Sequence, residues 1–465
     1  MSATSSIPAQ RQRARRPTGQ LVGISLAYFM VLLDTTVLAV AEPTIMASLH
    51  TGVVGVGWAT TIYTMALASA LVFGGSLADR LGAHPVFIVG VVGFGVVSLA
   101  CALAPNLALL LVFRTLLGLF AAAIIPSSLG LIASLYPEPG PRGRAISAWA
   151  AISGAAMAAG PILGGWLIAI DGWRAVFVIN APMALIVLAL CRNQIASTRH
   201  SRTVSWLPHL GLAATLATAT LAITQAGQRT WALAAVFSLI ALGLGYGTTR
   251  IDRTSPAPIV PAVLRRNRAV WRGFGWAAAV NYALTTVIFS IPLLLHGTAQ
   301  SAGATLLPMT LLVALNPLAT GRLVTAYGPL LPIRLGFVAF PIGLGLAASA
   351  LADGHQPFVL GLGLLLCGLG VSWTLPALVG FAVNHADPEA AGSVGGILNA
   401  TRQVGATVAA AVSSVTLTQH HGNGTAAIPF VIAAIVCLLG LLSATMPSLS
   451  RAAGSPPGND TDKAS

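Results

Sequence analysis

Residues 19–46 read GQLVGISLAYFMVLLDTTVLAVAEPTIM, and this stretch decides the fold. An α-helix crosses the hydrocarbon core of a bilayer with about 20 mainly apolar residues, so the run is long enough to span a membrane. It is too long for the apolar region of a cleaved signal peptide, and Asp34 interrupts its middle. We therefore predict a membrane-spanning helix that stays part of the protein.

The composition of the whole chain places it in lipid. Of its 465 residues, 56% are hydrophobic and 8% are charged, and the mean hydropathy is +0.84. A soluble domain carries about 25% Asp, Glu, Lys and Arg, so the few charges here could not cover a soluble core of this size. We predict an all-α membrane protein, because a helix satisfies its backbone hydrogen bonds within one segment.

Further apolar runs of similar length follow the first one and bring the predicted spans to fourteen. These runs lie near 19–46, 54–76, 85–105, 107–135, 144–169, 174–191, 207–226, 231–249, 270–295, 301–320, 330–352, 357–381, 391–418 and 426–447. Gly and Pro are frequent inside them, as membrane helices allow.

The net charge of +13 lies in short loops and tails, not along one folded face. If the N-terminus is cytoplasmic, the loops on the same side contain most of the arginines, which is the positive-inside pattern. Both termini are then cytoplasmic, and no basic face remains for nucleic acid. The abundance of Arg, Ala and Gly indicates a GC-rich bacterial genome, and therefore the bacterial inner membrane. These inner-loop arginines are Arg80, Arg142, Arg144, Arg192, Arg199, Arg202, Arg250, Arg253, Arg265, Arg266, Arg268 and Arg322.

A short motif occurs twice. GSLADRLG at 75–82 follows the second span, and GRLVTAYG at 321–328 follows the tenth. Equivalent turns at these places predict two six-span halves with two inserted spans, and such repeats are typical of transporters. The predicted organisation is a basic cytoplasmic tail at 1–18, an N-terminal bundle at 19–192, a linker with the two inserted spans at 193–250, a second linker at 251–269, a C-terminal bundle at 270–447 and a cytoplasmic tail at 448–465.

Two of the motifs are similar to known patterns. The turn at 75–82 is similar to G-x-L-A-D-R-x-G-R-[KR], with Ala83 and His84 in place of the two basic residues. In the fifth span, Gly154 and the run GPILGG at 160–165 are similar to g-x5-G-P-x-x-G-G. Glycines on one face let a neighbouring helix approach closely, and the proline bends the span.

The first and fourth spans extend the match. LDTTVLAVAEP at 33–43 resembles L-D-x-T-V-V-N-V-A-L-P, with Ala39 and Glu42 in place of Asn and Leu. The stretch 114–122 resembles R-x-x-Q-G-x-G-A-A incompletely, since Leu117 replaces the Gln. These altered positions make the chain's own residues the better guide to its cargo.

Two later stretches complete the set, WRAVFVINAP at 173–182 and GSVGGILNATRQVG at 392–405. With these motifs in this order, the chain resembles the major facilitator superfamily, specifically its fourteen-span drug:proton antiporter branch. The resemblance implies two pseudo-symmetric six-helix bundles, alternating access and export against inward proton flow. It also implies a gating role for the motif residues Gly75, Asp79, Arg80, Gly82, Gly160, Pro161, Gly164 and Gly165.

The first span contains both acidic residues that lie inside the apolar runs, Asp34 and Glu42. A charged side chain at mid-membrane costs about 2.5–3.5 kcal/mol on insertion scales, so such residues are functional candidates. Desolvation disfavours a charged carboxylate at the depth of Asp34, and ready protonation is what a proton carrier needs. We expect Asp34 to carry the proton and Arg114 to switch between contact with it and separation; a static pair that fixes packing is the alternative.

Four further residues are candidates for the substrate cavity. Glu42 would attract cationic substrates at the outer mouth, or else would be a water-exposed carboxylate at the membrane interface ahead of Pro43. The aromatic rings of Trp58 and Tyr63 could stack on flat substrates, although packing against lipid is the more common use of such residues. Arg402 would face the cavity or have a structural or gating role.

No nucleotide-binding loop, catalytic grouping or metal-ligand spacing occurs in the sequence. We therefore expect no enzyme, no metal and no cofactor, with the proton gradient as the energy source. The expected function is a proton-coupled antiporter for small amphipathic or drug-like molecules, working as a monomer in the bilayer. Two alternatives remain: a dedicated exporter of one endogenous metabolite or antibiotic, and a non-transporting membrane sensor or scaffold.

Overall fold

The computed structural model describes residues 18–193, 205–256, 258–260, 262–295, 299–352, 356–385, 391–418 and 426–446, which contain helices and no strand. Almost all of both predicted tails lies outside these residues. The α-helices are α1 Thr18–Ser48, α2 Val53–Leu81, α3 Ala83–Ala102, α4 Leu107–Leu135, α5 Pro139–Asp171, α6 Ala175–Val178, α7 Asn180–Leu190, α8 Leu207–Gly227, α9 Trp231–Thr254, α10 Ala262–Arg265, α11 Arg268–Leu294, α12 Ala299–Leu315, α13 Pro317–Tyr327, α14 Leu330–Ala352, α15 Pro357–Asn384, α16 Ala391–Thr418 and α17 Ile428–Thr445.

Polar side chains inside the helices bond to the helix backbone. Ser25 donates to the carbonyl of Leu21 at 2.7 Å, and Thr374 donates to that of Gly370 at 2.7 Å. Such back-bonds satisfy hydroxyl groups where no water is available. At its start, α4 is capped by Asn106, whose side chain accepts from the backbone N–H of Leu109 at 3.0 Å.

Both copies of the repeated turn end on a glycine that only this residue type accommodates easily. Gly82 lies between α2 and α3 with φ of 98°, and Gly328 lies between α13 and α14 with φ of 77°. Positive φ values carry no steric cost for glycine. The two turns therefore share the backbone feature that the repeated sequence motif indicated.

The number of spans is lower by hydropathy than the sequence predicted. Eleven helices are long and apolar enough to cross a membrane, or up to twelve if one bent pair counts as a single span. The predicted span at 174–191 is divided among a 3₁₀ turn and the short helices α6 and α7. The span predicted at 301–320 bends by 50° between α12 and α13, where Pro317 begins the second helix. The protein is a multi-pass membrane protein.

The apolar cores form on either side of the inserted helices. Two clusters lie in α1–α7, joined there by Ala400 of α16, and a third extends through α10–α17. The two groups of helices meet where α2 packs on α16 and where α5 packs on α12. Across the first of these contacts, the hydroxyl groups of Thr64 and Thr407 are 2.9 Å apart.

The two helices inserted between the groups form a hairpin at the edge of this junction. α8 packs against α2 and α16, and a side chain on Gly227 would collide with Val415 of α16. α9 packs on α8 and is the least buried of the candidate spans. Its outer face shows large apolar side chains such as Leu239 and Leu242, as expected for a helix that faces lipid.

The contact between α11 and α16 depends on the absence of a side chain at Gly405. A Cβ atom there would approach the carbonyl carbon of Ala278 to 2.9 Å. We expect Gly405→Ala to destabilise the fold by about 1–3 kcal/mol, as overpacking does, and to lower the thermal unfolding midpoint in detergent. Gly396→Ala on the same helix is the control, because its Cβ would meet nothing within 4 Å. Equal midpoints for the two variants would contradict this packing.

Candidate functional site

Asp34 and Arg114 form an ion pair in the interior of the protein. The Nη1 group of Arg114 donates to the Asp34 carboxylate, and their side chains are 1% and 0% exposed. The Nε group of Arg114 donates to the carbonyl of Ala59 at 3.1 Å. The guanidinium carbon also lies 4.3 Å from the centre of the Tyr63 ring, a cation–π distance. The pair therefore joins α4 to both α1 and α2.

The sequence around Arg114 brings α4 close to α2. Gly118 lies one turn after Arg114, and a Cβ on it would be 2.5 Å from the carbonyl oxygen of Tyr63. Tyr63 in turn donates from its hydroxyl group to the carbonyl of Val31 at 3.4 Å, a long bond that links α2 to α1. The glycine spacing thus sets the distance at which the guanidinium meets the Tyr63 ring.

Asn180, from the motif at 173–182, lies beside Asp34 on its other side. Its side-chain amide donates to the hydroxyl of Ser98 at 2.9 Å, and that hydroxyl donates to the carbonyl of Phe177 at 2.8 Å. α3 and the α6–α7 segment are thereby connected to the ion pair. Asn180 stands in the motif as an invariant-looking letter, but its proximity to Asp34 comes only from the folded chain.

Glu42 occupies neither of the two positions considered from the sequence. It is 0% exposed, and its Oε1 accepts a hydrogen bond from the hydroxyl of Thr60 at 3.2 Å. The difference arises because Pro43 does not end the helix: α1 continues to Ser48, and membrane helices tolerate proline. A water-exposed carboxylate at the outer mouth is therefore the wrong description of this residue.

The glycines of the fifth-span motif face α1 beside Asp34. A side chain on Gly160 would collide with Thr36, and one on Gly164 would approach Val37 at 3.3 Å. Thr36 also donates to the carbonyl of Ala156 on α5 at 3.3 Å. α5 thus packs closely on the segment of α1 that directly follows the acidic residue.

The proline of the same motif faces the second group of helices. A side chain on Gly303 of α12 would collide with the carbonyl oxygen of Pro161. Gly303 was not singled out by the sequence, since one glycine in an apolar run carries no signal of its own. α5 therefore contacts α1 and α12 within two helical turns, and it links the acid-bearing helix to the other half.

The remaining cavity candidates lie apart from one another. Tyr63 is fully buried against Arg114, and Trp58 is half-buried on the preceding turn of α2. Arg402 is half-buried and donates to Asn281 at 3.2 Å and Asn399 at 3.1 Å. These two bonds connect α16 to α11, which is the geometry expected of a structural role.

The residues of the turn at 75–82 lie at the end of α2. Asp79 is half-buried and Arg80 is exposed, while a Cβ on Gly75 would approach Pro126 of α4 at 3.5 Å. Beside this turn, His84 replaces a basic residue of the family pattern, and its Nε2 lies 3.0 Å from the carbonyl oxygen of Cys191. His84 is buried and ties the start of α3 to the end of α7.

A cavity of about 850 Å³ lies away from the ion pair, between α11, α16 and α17. It contains none of the predicted site residues, and its lining is mainly apolar with Arg268 and Arg272 at one end. Across the described part of the chain, no three His, Cys, Asp or Glu side chains form a group that could hold a metal ion. The ion pair is the better functional candidate, because it brings charged groups together out of water.

Comparison with known proteins identifies the family. A sequence profile of the Major Facilitator Superfamily matches residues 24–410. The chain belongs to the Major Facilitator Superfamily.

Curated relatives in the superfamily are resistance and export proteins. The chain is 31% identical to the tetracenomycin C resistance and export protein of Streptomyces glaucescens, over 91% of this chain and 80% of that protein. It is 30% identical to the methylenomycin A resistance protein of Streptomyces coelicolor, over 95% of this chain and 94% of that protein.

Solved structures share the superfamily fold. The partially occluded, inward-open xylose transporter XylE from E. coli matches with a TM-score of 0.66 and 13% identity, over 91% of this chain and 96% of that one. A POT family transporter bound to 5-aminolevulinic acid matches with a TM-score of 0.69 and 12% identity, over 91% and 96%. At these identities the likeness concerns the fold alone.

Arg114→Lys tests whether the geometry of the guanidinium matters in this superfamily member. Lysine keeps the charge but not the planar fork that reaches Asp34 and Ala59 together. A hydrogen bond involving a charged group contributes about 1.5–3 kcal/mol, so we expect the rate of ethidium export from cells to fall about tenfold or more. The control is Arg174→Lys, at an exposed arginine. Undiminished export by Arg114→Lys would show that a positive charge alone suffices.

Gly303→Ala tests the contact between α12 and α5. The added methyl group would press on the carbonyl of Pro161, and we expect it to disfavour the closely packed arrangement by about 1–3 kcal/mol. The ethidium export rate should fall while the amount of protein in the membrane is maintained. Gly345→Ala is the matched control, since nothing lies within 4 Å of its Cβ. If both variants export at the same rate, this contact does not limit transport.

Proposed function

We propose that this superfamily member is a proton-coupled antiporter that exports small amphipathic or drug-like molecules by alternating access. The observation that carries the proposal is the enclosed pair of Asp34 and Arg114. A buried carboxylate on a membrane helix costs free energy that selection for packing alone does not demand. The resistance and export relatives support the class of cargo and the outward direction.

The geometry suggests how proton binding is transmitted. A proton that adds to Asp34 turns its carboxylate into a neutral acid, so Arg114 loses its anionic partner. The contact between α4 and α1 then weakens, and α1 shifts against Gly160 and Gly164 of α5. Because α5 also contacts α12 through Pro161, the shift reaches the other half. Release of the proton on the other side of the membrane restores the ion pair.

The finer organisation belongs to the same proposal. The fourteen predicted spans form two halves, 19–192 and 270–447, with a two-span insert and both termini in the cytoplasm of a bacterial cell. The turn at 75–82, with Asp79 and Arg80, gates the cytoplasmic side. The unit is a monomer in the bilayer. The inner-loop arginines support this orientation.

A second candidate is the dedicated export of one antibiotic or endogenous metabolite. The observation that favours it is the name of one relative, which is a resistance and export protein for tetracenomycin C. A panel of toxic cations, dyes and antibiotics, tested on cells with and without the gene at two external pH values, separates the candidates. Protection against several unrelated compounds supports the broad exporter, and protection against one compound supports the dedicated exporter.

Asp34→Asn tests the coupling itself. The amide keeps the shape of the side chain but cannot bind and release a proton, so we expect ethidium export driven by a pH gradient in proteoliposomes to fall to background. Downhill ethidium movement should continue, because the path for the substrate remains. Asp171→Asn, at an exposed carboxylate, is the control and should behave as the wild type. Full gradient-driven export by Asp34→Asn would refute proton transport by this residue.

A further inference from the structure

Glu42 is a second buried acid on α1 for which the proposed mechanism has no use. It lies eight residues after Asp34, about 12 Å further along the helix, and it is 0% exposed. Its Oε1 has the hydroxyl of Thr60 as a donor at 3.2 Å. Its Oε2 has no hydrogen-bond partner among the described residues. A buried polar atom without a partner costs about 1–3 kcal/mol, so this oxygen calls for an explanation.

Arg114 has an unused nitrogen in the same region. Nη1 donates to Asp34 and Nε to the carbonyl of Ala59, while Nη2 is buried and has no partner among the described residues. Ala59 and Thr60 are consecutive residues of α2, so Arg114 and Glu42 reach the same turn of that helix. The charge of Arg114 also acts electrostatically on Glu42. One unpaired donor and one unpaired acceptor thus lie close together.

The charges on these residues restrict which protonation states are stable. Arg114 is the positive charge shared by Asp34 and Glu42, and arginine stays protonated in proteins. An ionised carboxylate without a partner in the protein interior is strongly unfavourable. The guanidinium can neutralise one of the two carboxylates at a time, so the other is most stable as a neutral acid. Their titrations are then coupled through the arginine.

We infer that Glu42 is a second proton-binding site and that Arg114 exchanges between Asp34 and Glu42 during the transport cycle. The inference rests on the proposed proton coupling and extends it. When a proton from the medium adds to Asp34, the guanidinium turns to the open Oε2 of Glu42, and the proton held on Glu42 leaves. One proton binds and one is released, while the positive charge moves along α1.

Thr60 separates this inference from a purely structural role for Glu42. Its hydroxyl holds the carboxyl group in place through Oε1, and Thr60→Val removes that bond but leaves both acids. If Glu42 serves only to bond with Thr60, Thr60→Val and Glu42→Gln have the same consequences. If Glu42 binds a proton, Thr60→Val keeps two titrating acids and Glu42→Gln keeps one.

The decisive measurement is an infrared titration of the full chain in detergent, which needs no substrate. A buried carboxyl group shows a C=O stretching band only when it is protonated. We expect two such bands in the wild type, one absent from Asp34→Asn and the other absent from Glu42→Gln. Each single substitution should displace the titration midpoint of the remaining acid by about one pH unit or more, as coupled sites do. Glu138→Gln, at an exposed acid, should leave both bands unchanged.

Each other outcome overturns the inference. A wild-type spectrum that is unchanged by Glu42→Gln means that Glu42 does not titrate, and an undisplaced midpoint means that Arg114 does not connect the two acids. Thr60→Val with the spectrum of Glu42→Gln supports the structural role instead. Because the infrared titration involves no transport, its failure is distinguishable from failure of the proposed function, which the gradient-driven export of Asp34→Asn tests.

Discussion

A guanidinium enclosed without water has to find its acceptors within the protein, and this constraint organises the first group of helices. Arg114 binds the Asp34 carboxylate on α1 and the carbonyl of Ala59 on α2, and it lies over the Tyr63 ring. The three helices cannot separate without exposing one of these groups. Removing one partner of a buried charge pair typically costs about 3–5 kcal/mol, so any event that neutralises Asp34 releases a large constraint at one point.

Close backbone approach carries such an event beyond the pair. Glycines at 160 and 164 let α5 lie directly on α1, and Gly303 lets α12 lie on the carbonyl of Pro161. Contacts without intervening side chains have little slack, because there is no rotamer that can absorb a displacement. The same helix therefore senses the residue after the acid on one face and the second half of the protein on the other. Membrane helices commonly use small residues to approach in this way.

Much of the fold was predictable because lipid acts on composition. Each predicted apolar run contains helix in the structure, and Asp34 and Arg114 were singled out as charges in apolar surroundings. Their pairing was an expectation, since 80 residues separate them. Glu42 was placed at the surface because Pro43 was read as a helix end, and the bond to Thr60 shows otherwise. Gly303, Thr60 and the 50° bend at α12–α13 depend on which helices become neighbours, and hydropathy does not record neighbours.

The hairpin of α8 and α9 has a consequence for how this chain can change over generations. α9 rests on α8, which in turn contacts α2 and α16, and most of its surface faces outward. Substitutions there meet few constraints beyond remaining apolar, so drift should be faster in α9 than in α1. A gene could also gain or lose the hairpin as one unit without disturbing the helices around Asp34. Comparison of many homologous genes should find this segment among the most variable in sequence.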